Sequence, residues 1–127
     1  MINGNKTGNE QLQMVVYVKS KGRGNLVLSA AGQVVELPQV LDVLKLVAGL
    51  EQLRLAINAG GGTYTEFALN GAMWSEELLC CRCLGGWVYL ELLQHRERIC
   101  FNWKGNVKEF DAAVRWMAGR FVSRKRN

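Results

Sequence analysis

Proline and histidine are scarce in this sequence of 127 residues, which contains one of each. A single proline leaves no proline-rich linker between domains, and a single histidine has no second histidine with which to form a catalytic or metal-binding cluster. No apolar run approaches the roughly 18–20 residues needed to cross a membrane. Residues 1–11 are polar and lack the apolar stretch of a signal peptide. We therefore expect one cytoplasmic domain without membrane contact.

Cysteine is limited to four residues, of which Cys80, Cys81 and Cys83 are clustered and Cys100 lies downstream. The cysteines of a secreted disulfide framework are normally spread along the chain, so the clustering favours free thiols in a reducing compartment. Cys80 and Cys83 have a zinc-like spacing, but side chains three residues apart on a strand point to opposite faces. We expect neither a metal site nor a cofactor.

Apolar residues are abundant, at 49%, and charged residues make up 21%, a balance typical of a globular domain. The net charge of +5 is concentrated at the C-terminal end, because residues 112–127 contain five bases and no acid. A basic end attracts polyanions at short range, within about 10 Å at 0.1 M salt. This distribution is compatible with nucleic acid as a partner.

The alternation of apolar and turn-forming residues predicts an α+β fold rich in short strands. The predicted strands are residues 12–18, 26–30, 33–37, 52–58, 63–70, 76–84, 87–93 and 97–104. A helix that is apolar on nearly all sides is predicted from Pro38 to Ala48, with Pro38 in its first turn. A C-terminal amphipathic helix is predicted to follow Asn106, which forms a capping-box pair with Glu109.

These elements predict an antiparallel β-meander sheet with one buried apolar helix and one C-terminal amphipathic helix packed on it. We expect a flexible N-terminal segment, residues 1–11, a single domain, residues 12–122, and a basic tail, residues 123–127. The order of elements resembles that of single-strand-binding folds of the Whirly type. The resemblance concerns the fold alone and implies no site residues, because no motif of that family is matched.

Strand alternation predicts two different faces for the meander. A Gly85-Gly86 hairpin places Leu84 opposite Trp87, and a loop centred on His95 and Arg96 pairs Leu92 with Ile99. One predicted face is wholly apolar and consists of Leu79, Cys81, Cys83, Val88, Leu90, Leu92, Ile99, Phe101 and Trp103. The opposite face, which we call the mixed face, consists of Tyr64, Glu66, Leu78, Cys80, Arg82, Leu84, Trp87, Tyr89, Glu91, Leu93, Arg98, Cys100, Asn102 and Lys104.

The mixed face combines aromatic rings and cations, the chemistry that binds single-stranded nucleic acid by stacking on bases and neutralising phosphates. Its candidate binding residues are Tyr64, Arg82, Trp87, Tyr89, Arg98, Asn102 and Lys104. A basic turn and the basic tail extend the candidate surface with Lys19, Lys21, Arg23, Arg124, Lys125 and Arg126. Rings and arginines are equally typical of protein interfaces, so a protein partner is the alternative explanation.

The apolar helix and an isolated tryptophan predict a contact with another copy of the chain. Val40, Leu44 and Val47 lie on the predicted helix 38–48, and Trp116 lies off the apolar stripe of the last helix. These four residues are the candidate interface, and we expect a homodimer or another homo-oligomer.

No catalytic nucleophile motif or phosphate-binding loop is recognisable, so the sequence favours a protein that is not an enzyme. We expect a small non-catalytic binding protein whose partner is single-stranded nucleic acid. One alternative is a protein-interaction or homo-oligomerisation module. A second is a small-molecule-binding domain or enzyme, with a pocket lined by Tyr64, Tyr89 and Cys100.

Overall fold

The computed structural model describes residues 11–70, 76–95 and 97–126, with side chains described as far as Phe121. Most of the predicted segment 1–11, the loop residue Arg96 and the last residue of the predicted tail 123–127 lie outside the described residues. The statements that follow concern the described ranges.

Seven strands and two helices form two antiparallel sheets and confirm the α+β class. The first sheet has the order β1-β2-β3, and its strands are Gln13–Val18, Gly24–Ala30 and Gln33–Val40. The second has the order β4-β5-β6-β7, and its strands are Thr63–Asn70, Glu77–Leu84, Trp87–Gln94 and Arg98–Asn106. This second sheet is the predicted meander, with its strands in sequence order.

The first helix, α1, spans Val43–Asn58, so the predicted helix 38–48 is confirmed over residues 43–48 but has wrong bounds, and the predicted strand 52–58 is wrong. Asp42 is the N-cap, and its side chain accepts a hydrogen bond from the Lys45 amide at 3.0 Å. Pro38 lies instead in β3, which is an edge strand and tolerates a residue without an N–H donor. Residues 52–58 continue the helix because its buried face recurs with helical spacing through Ile57.

The second helix, α2, spans Val107–Arg126 and begins as predicted. The Glu109 amide donates to Asn106 Oδ1 at 2.8 Å, and the Asn106 amide donates to Glu109 Oε1 at 2.8 Å, which completes the capping box. The predicted apolar stripe is buried at Phe110, Val114 and Met117. α2 packs chiefly against β1 and α1, and it also contacts β6 and β7.

One hydrophobic cluster joins the inner faces of both sheets with the buried faces of both helices. A polar link also connects the two helices, since Asp111 Oδ1 accepts from Arg54 Nη1 at 3.0 Å and from Asn58 Nδ2 at 2.7 Å. The four-stranded sheet therefore has one face in the core and the other turned away from it.

The register of β5 with β6 is as predicted, with Leu84 opposite Trp87. The register of β6 with β7 differs, because Leu92 lies opposite Phe101 and Leu93 lies opposite Ile99. β7 carries one more residue than β6 between these pairs, which is a bulge. The predicted pair of Leu92 with Ile99 is therefore wrong, and Ile99 belongs to the mixed face with 51% of its surface exposed.

Candidate functional site

The mixed face carries one row in which rings and cations alternate across all four strands. Tyr64 lies opposite Arg82, Arg82 opposite Tyr89, and Tyr89 opposite Lys104. The Arg82 guanidinium carbon lies 5.0 Å from the Tyr89 ring centroid, and Lys104 Nζ lies 5.6 Å from the same centroid. Tyr89 thus has a cation from each neighbouring strand within cation–π distance. We call these four residues the cation–aromatic row.

Trp87 adjoins this row, because it lies two residues before Tyr89 on the same strand and faces the same side. It is 47% exposed, while Phe101 on the opposite face is 1% exposed, which confirms the alternation that the sequence predicts. Lys104 Nζ lies 4.8 Å from the Trp87 ring, so the ammonium group bridges Trp87 and Tyr89. The exposed Trp87 ring, the half-buried Tyr89 ring and the cations Arg82 and Lys104 therefore lie together at this end of the sheet.

The next row of the mixed face is acidic. Glu66, Cys80, Glu91 and Asn102 lie opposite one another across the four strands. Tyr64 Oη donates to Glu66 Oε2 at 2.5 Å, and this bond to a carboxylate raises the pKa of Tyr64 well above its usual range. Burial raises the pKa of the Cys80 thiol as well. An anionic ligand is therefore favoured on the cation–aromatic row and disfavoured on the row beside it.

The far end of the mixed face is apolar, with Ala68, Leu78, Leu93 and Ile99 in one row. Arg98 lies beyond the bulge, opposite Gln94 and adjacent to Ile99, so it does not share the side of β7 that Lys104 occupies. Asn102 belongs to the acidic row. The structure therefore brings Tyr64, Arg82, Trp87, Tyr89 and Lys104 together, places Asn102 in the neighbouring acidic row, and separates Arg98 from them.

The basic turn between β1 and β2 lies at the other end of the four-stranded sheet. Lys19, Lys21 and Arg23 are exposed there. The turn contacts the start of α1, where the Val43 amide donates to Gly22 O at 2.8 Å. The neighbouring Leu41 amide donates to Leu69 O at 2.9 Å, near the end of β4 opposite to Tyr64. This turn does not extend the cation–aromatic row.

The basic tail is also distant from that row. Arg124, Lys125 and Arg126 occupy the last turn of α2, whose first residue follows β7 directly. A helix of this length is about 30 Å long. Their side chains lie outside the described residues, and their backbone lies at the end of α2 remote from Trp87.

Two of the four candidate interface residues lie in the core of the chain itself. Val40 is 1% exposed and Val47 is 7% exposed, so neither presents a surface to a partner. Leu44 and Trp116 are 45% and 42% exposed. Sequence reasoning missed Leu55, which is 57% exposed on the same helix, because residues 52–58 were assigned to a strand.

A groove of about 650 Å³ lies between the start of β1 and α2. It is lined by Gln11, Leu12, Gln13, Asn106, Lys108, Glu109, Ala112, Ala113 and Trp116. At its Trp116 end, the Arg120 guanidinium carbon lies 4.6 Å from the indole ring. The sequence contained a signal for this pair, since residues four apart on a helix are neighbours. The groove has different walls from the predicted pocket of Tyr64, Tyr89 and Cys100.

In the part of the chain that the structure describes, no group of three or more His, Cys, Asp or Glu side chains is placed to hold a metal ion. Cys80 lies on the mixed face and Cys83 in the core cluster. None of the described helices is long and apolar enough to cross a membrane.

Comparison with known proteins found no matching family model, no matching curated protein and no matching solved structure. The resemblance in element order to the Whirly type therefore stays a prediction.

Proposed function

We propose that this chain is a small non-catalytic binding protein that holds single-stranded nucleic acid on the cation–aromatic row of its four-stranded sheet. The supporting observation is the arrangement around Lys104, whose ammonium group lies within 6 Å of the Trp87 and Tyr89 rings on an exposed sheet face. Exposed rings stack on bases of any sequence, and adjacent cations neutralise phosphates. The groups are held by strand register, so they are ordered before a ligand binds.

The acidic row adds a constraint to this proposal. Glu66 and Glu91 repel phosphates placed over them. The bound nucleic acid is therefore expected to follow the cation–aromatic row from β4 to β7. Four strands spaced about 4.8 Å apart give a row about 15 Å long. A row of that length accommodates only a few nucleotides.

Fluorescence anisotropy with a labelled oligothymidylate of about 16 nucleotides tests the proposal. We expect binding at low salt, and we expect Trp87→Ala to weaken it by about 1–3 kcal/mol through lost stacking. Lys104→Ala is expected to reduce the slope of log affinity against log salt by about 0.7. Lys45→Ala, which removes an exposed cation from α1, is the matched control and should change neither value.

Absence of binding at low salt would contradict the proposed function. So would binding that Trp87→Ala leaves unchanged, because the ligand would then occupy another surface. Thermal unfolding of each variant, followed by circular dichroism, separates loss of binding from loss of fold.

We also propose that the chain self-associates through the exposed side of α1. Leu44, Ala48 and Leu55 are exposed and lie within about 40° of one another around the helix, and Leu41 is exposed just before it. Exposed leucines grouped on one side of a helix favour an interface. Here Glu51, which pairs with Arg54 at 2.6 Å, lies on the same side between Ala48 and Leu55. The partner proposed is a second copy of this chain, with the apolar stripe of one α1 packed on that of the other.

Light scattering coupled to size-exclusion chromatography tests self-association. We expect a dimer or larger assembly, and we expect Leu44→Glu and Leu55→Glu to give monomers that keep their circular dichroism spectrum. A wild-type chain that is monomeric at about 100 μM would contradict this second proposal. The result is independent of nucleic-acid binding, because the stripe and the cation–aromatic row involve different residues.

A further inference from the structure

Trp87 and Trp116 are the exposed tryptophans among the described residues, and the same local chemistry surrounds both. Each has a cation from a neighbouring residue near its ring, Lys104 at 4.8 Å and Arg120 at 4.6 Å. An indole ring beside a cation can stack on the base of a nucleotide while the cation contacts the phosphate of the same nucleotide. The groove at α2 therefore repeats the arrangement on the sheet.

Asn106 connects the two places. It lies opposite Trp87 in the pairing of β6 with β7, and it also lines the groove that ends at Trp116. Opposed Cα atoms are about 5 Å apart, and the ten residues from Asn106 to Trp116 rise about 15 Å along a helix. The path from the Trp87 Cα to the Trp116 Cα is therefore about 20 Å.

Among the described residues, the charges along this path are mixed, with one unpaired cation at the Trp116 end. Lys108 lines the groove and Arg120 lies at its end. The acidic side chain in the groove, Glu109, already accepts the Asn106 amide hydrogen, and the dipole at the start of α2 stabilises its charge. Arg115, on the same helix, is 67% exposed and lies 3.8 Å from Asp111. Lys108 and Glu109 offset each other within the groove, and Asp111 offsets Arg115. The attraction for a phosphate therefore comes from Arg120 beside Trp116.

We infer that the groove between β1 and α2 is a second contact site for the same single strand, with Trp116 and Arg120 as its stacking and phosphate-binding residues. This inference rests on the proposed function. The bound nucleic acid would leave the four-stranded sheet at Trp87, pass Asn106 and continue along α2. It follows that affinity depends on oligonucleotide length, because short strands reach only one of the two sites.

The experiment compares oligothymidylates of about 4 and about 16 nucleotides on the full chain at low salt. Trp116→Ala is expected to weaken binding of the long oligonucleotide about 5- to 150-fold, which corresponds to one lost stacking contact. The affinity for the short oligonucleotide should stay unchanged. Trp116→Phe keeps a ring and should retain most of the affinity. Arg120→Ala provides a second variant that leaves the groove wall intact, and it should make the salt dependence of long-strand binding less steep by about 0.7.

The outcomes separate the inference from the function on which it rests. The inference is overturned if the wild type and Trp116→Ala bind the long oligonucleotide equally well. If Trp87→Ala still weakens binding in that case, the proposed function on the cation–aromatic row is retained. Equal loss for both lengths in Trp116→Ala also overturns it, because the two sites would then not be distinct. Binding of neither length by the wild type overturns the inference and the proposed function together.

Discussion

The side-chain amide of Gln33 is hydrogen-bonded on both sides to the backbone of Asn102. Gln33 Nε2 donates to Asn102 O at 2.8 Å, and the Asn102 amide donates to Gln33 Oε1 at 3.1 Å. β7 is the last strand of its sheet, so the glutamine occupies the position that a further strand would take. Because Gln33 begins β3, the pair also links the two sheets at the edge next to Lys104.

The first prediction concerns this pair. Gln33→Ala removes both hydrogen bonds and is expected to lower the free energy of unfolding by about 1–2 kcal/mol. Gln33→Glu keeps an acceptor for the Asn102 amide, and its protonated carboxyl at low pH can still donate to Asn102 O, so its stability should then lie between the wild type and Gln33→Ala. At neutral pH the ionised carboxylate has no donor and repels Asn102 O, so Gln33→Glu should be no more stable than Gln33→Ala. Urea unfolding measures the free energies, and hydrogen exchange at the Asn102 amide reports the bond directly. Unchanged exchange in Gln33→Ala would contradict the assigned contact.

The second prediction compares two helical glycines. A Cβ added at Gly49 would lie 2.6 Å from Phe67 Cε1, whereas a Cβ at Gly119 meets no atom within 4 Å. Replacing glycine by alanine in a helix normally stabilises it by about 0.5–1 kcal/mol. We expect Gly119→Ala to show that gain and Gly49→Ala to be destabilising by about 1–3 kcal/mol, because the aromatic ring must move. Thermal unfolding of both variants measures these changes in stability. A Gly49→Ala variant more stable than the wild type would contradict the close contact between α1 and Phe67 of β4.

The third prediction concerns the pH dependence of stability at Asp111. Burial alone would raise the pKa of Asp111, but hydrogen bonds from Asn58 and Arg54 outweigh burial and hold the pKa below its usual value. Because the pKa is lower in the folded chain, the stabilisation is complete above the unfolded value of about 3.9 and is lost as pH falls through the folded value. Asp111→Asn should therefore lose about 1–2 kcal/mol near pH 7 and approach the wild type in acid.

Urea titrations at neutral and acidic pH measure this difference. Arg115→Ala is the matched control, because the Arg115 side chain is largely exposed and lies 3.8 Å from Asp111. This substitution should change the free energy of unfolding by no more than about 0.5 kcal/mol. A difference between Asp111→Asn and the wild type that stays constant down to acidic pH would show that the charge of Asp111 is not the cause.

The fourth prediction concerns the reactivity of the buried thiols. Burial, with a smaller effect of neighbouring Cys83 and Cys80, raises the pKa of Cys81 to about 12. Since the thiolate is the reactive form, Cys81 in the native chain should alkylate at least about 100-fold more slowly at pH 8.5 than in urea. Cys100 is only half-buried and serves as the internal comparison. Iodoacetamide labelling read by peptide mass spectrometry measures both rates, and equal rates for Cys81 and Cys100 would contradict the prediction.

Strand alternation made most of the candidate site predictable. Because successive side chains of a strand point to opposite faces, the sequence placed Trp87, Tyr89 and Lys104 together on one side of the meander and Phe101 on the other. The capping box of Asn106 and Glu109 fixed the start of α2 for a similar reason, since both partners lie within four residues. These two patterns, which depend on near neighbours in the sequence, were predicted correctly.

The errors arose where tertiary contacts override local pattern. Pro38 suits the first turn of a helix, but the pairing of β3 with β2 keeps it in a strand, and α1 begins later at Val43. The bulge in β7 moved Ile99 to the mixed face and Arg98 away from Lys104, although no glycine or proline marks it in the sequence. The pattern of alternation does not distinguish the two registers, because Phe101 lies in the core in either of them. The choice depends on the packing of β6 against β7.

By itself, the amino-acid sequence determined which residues alternate on the meander, where α2 begins and that the chain is α+β, because short-range sterics and hydrogen bonds set those features. Only the tertiary structure decided that Trp87, Arg82 and Lys104 remain exposed. It also decided that Asn106 joins Trp87 to the groove at Trp116 and that Gln33 covers the edge of β7. Those relationships join residues that are distant in sequence, and they follow from packing two sheets and two helices around one core.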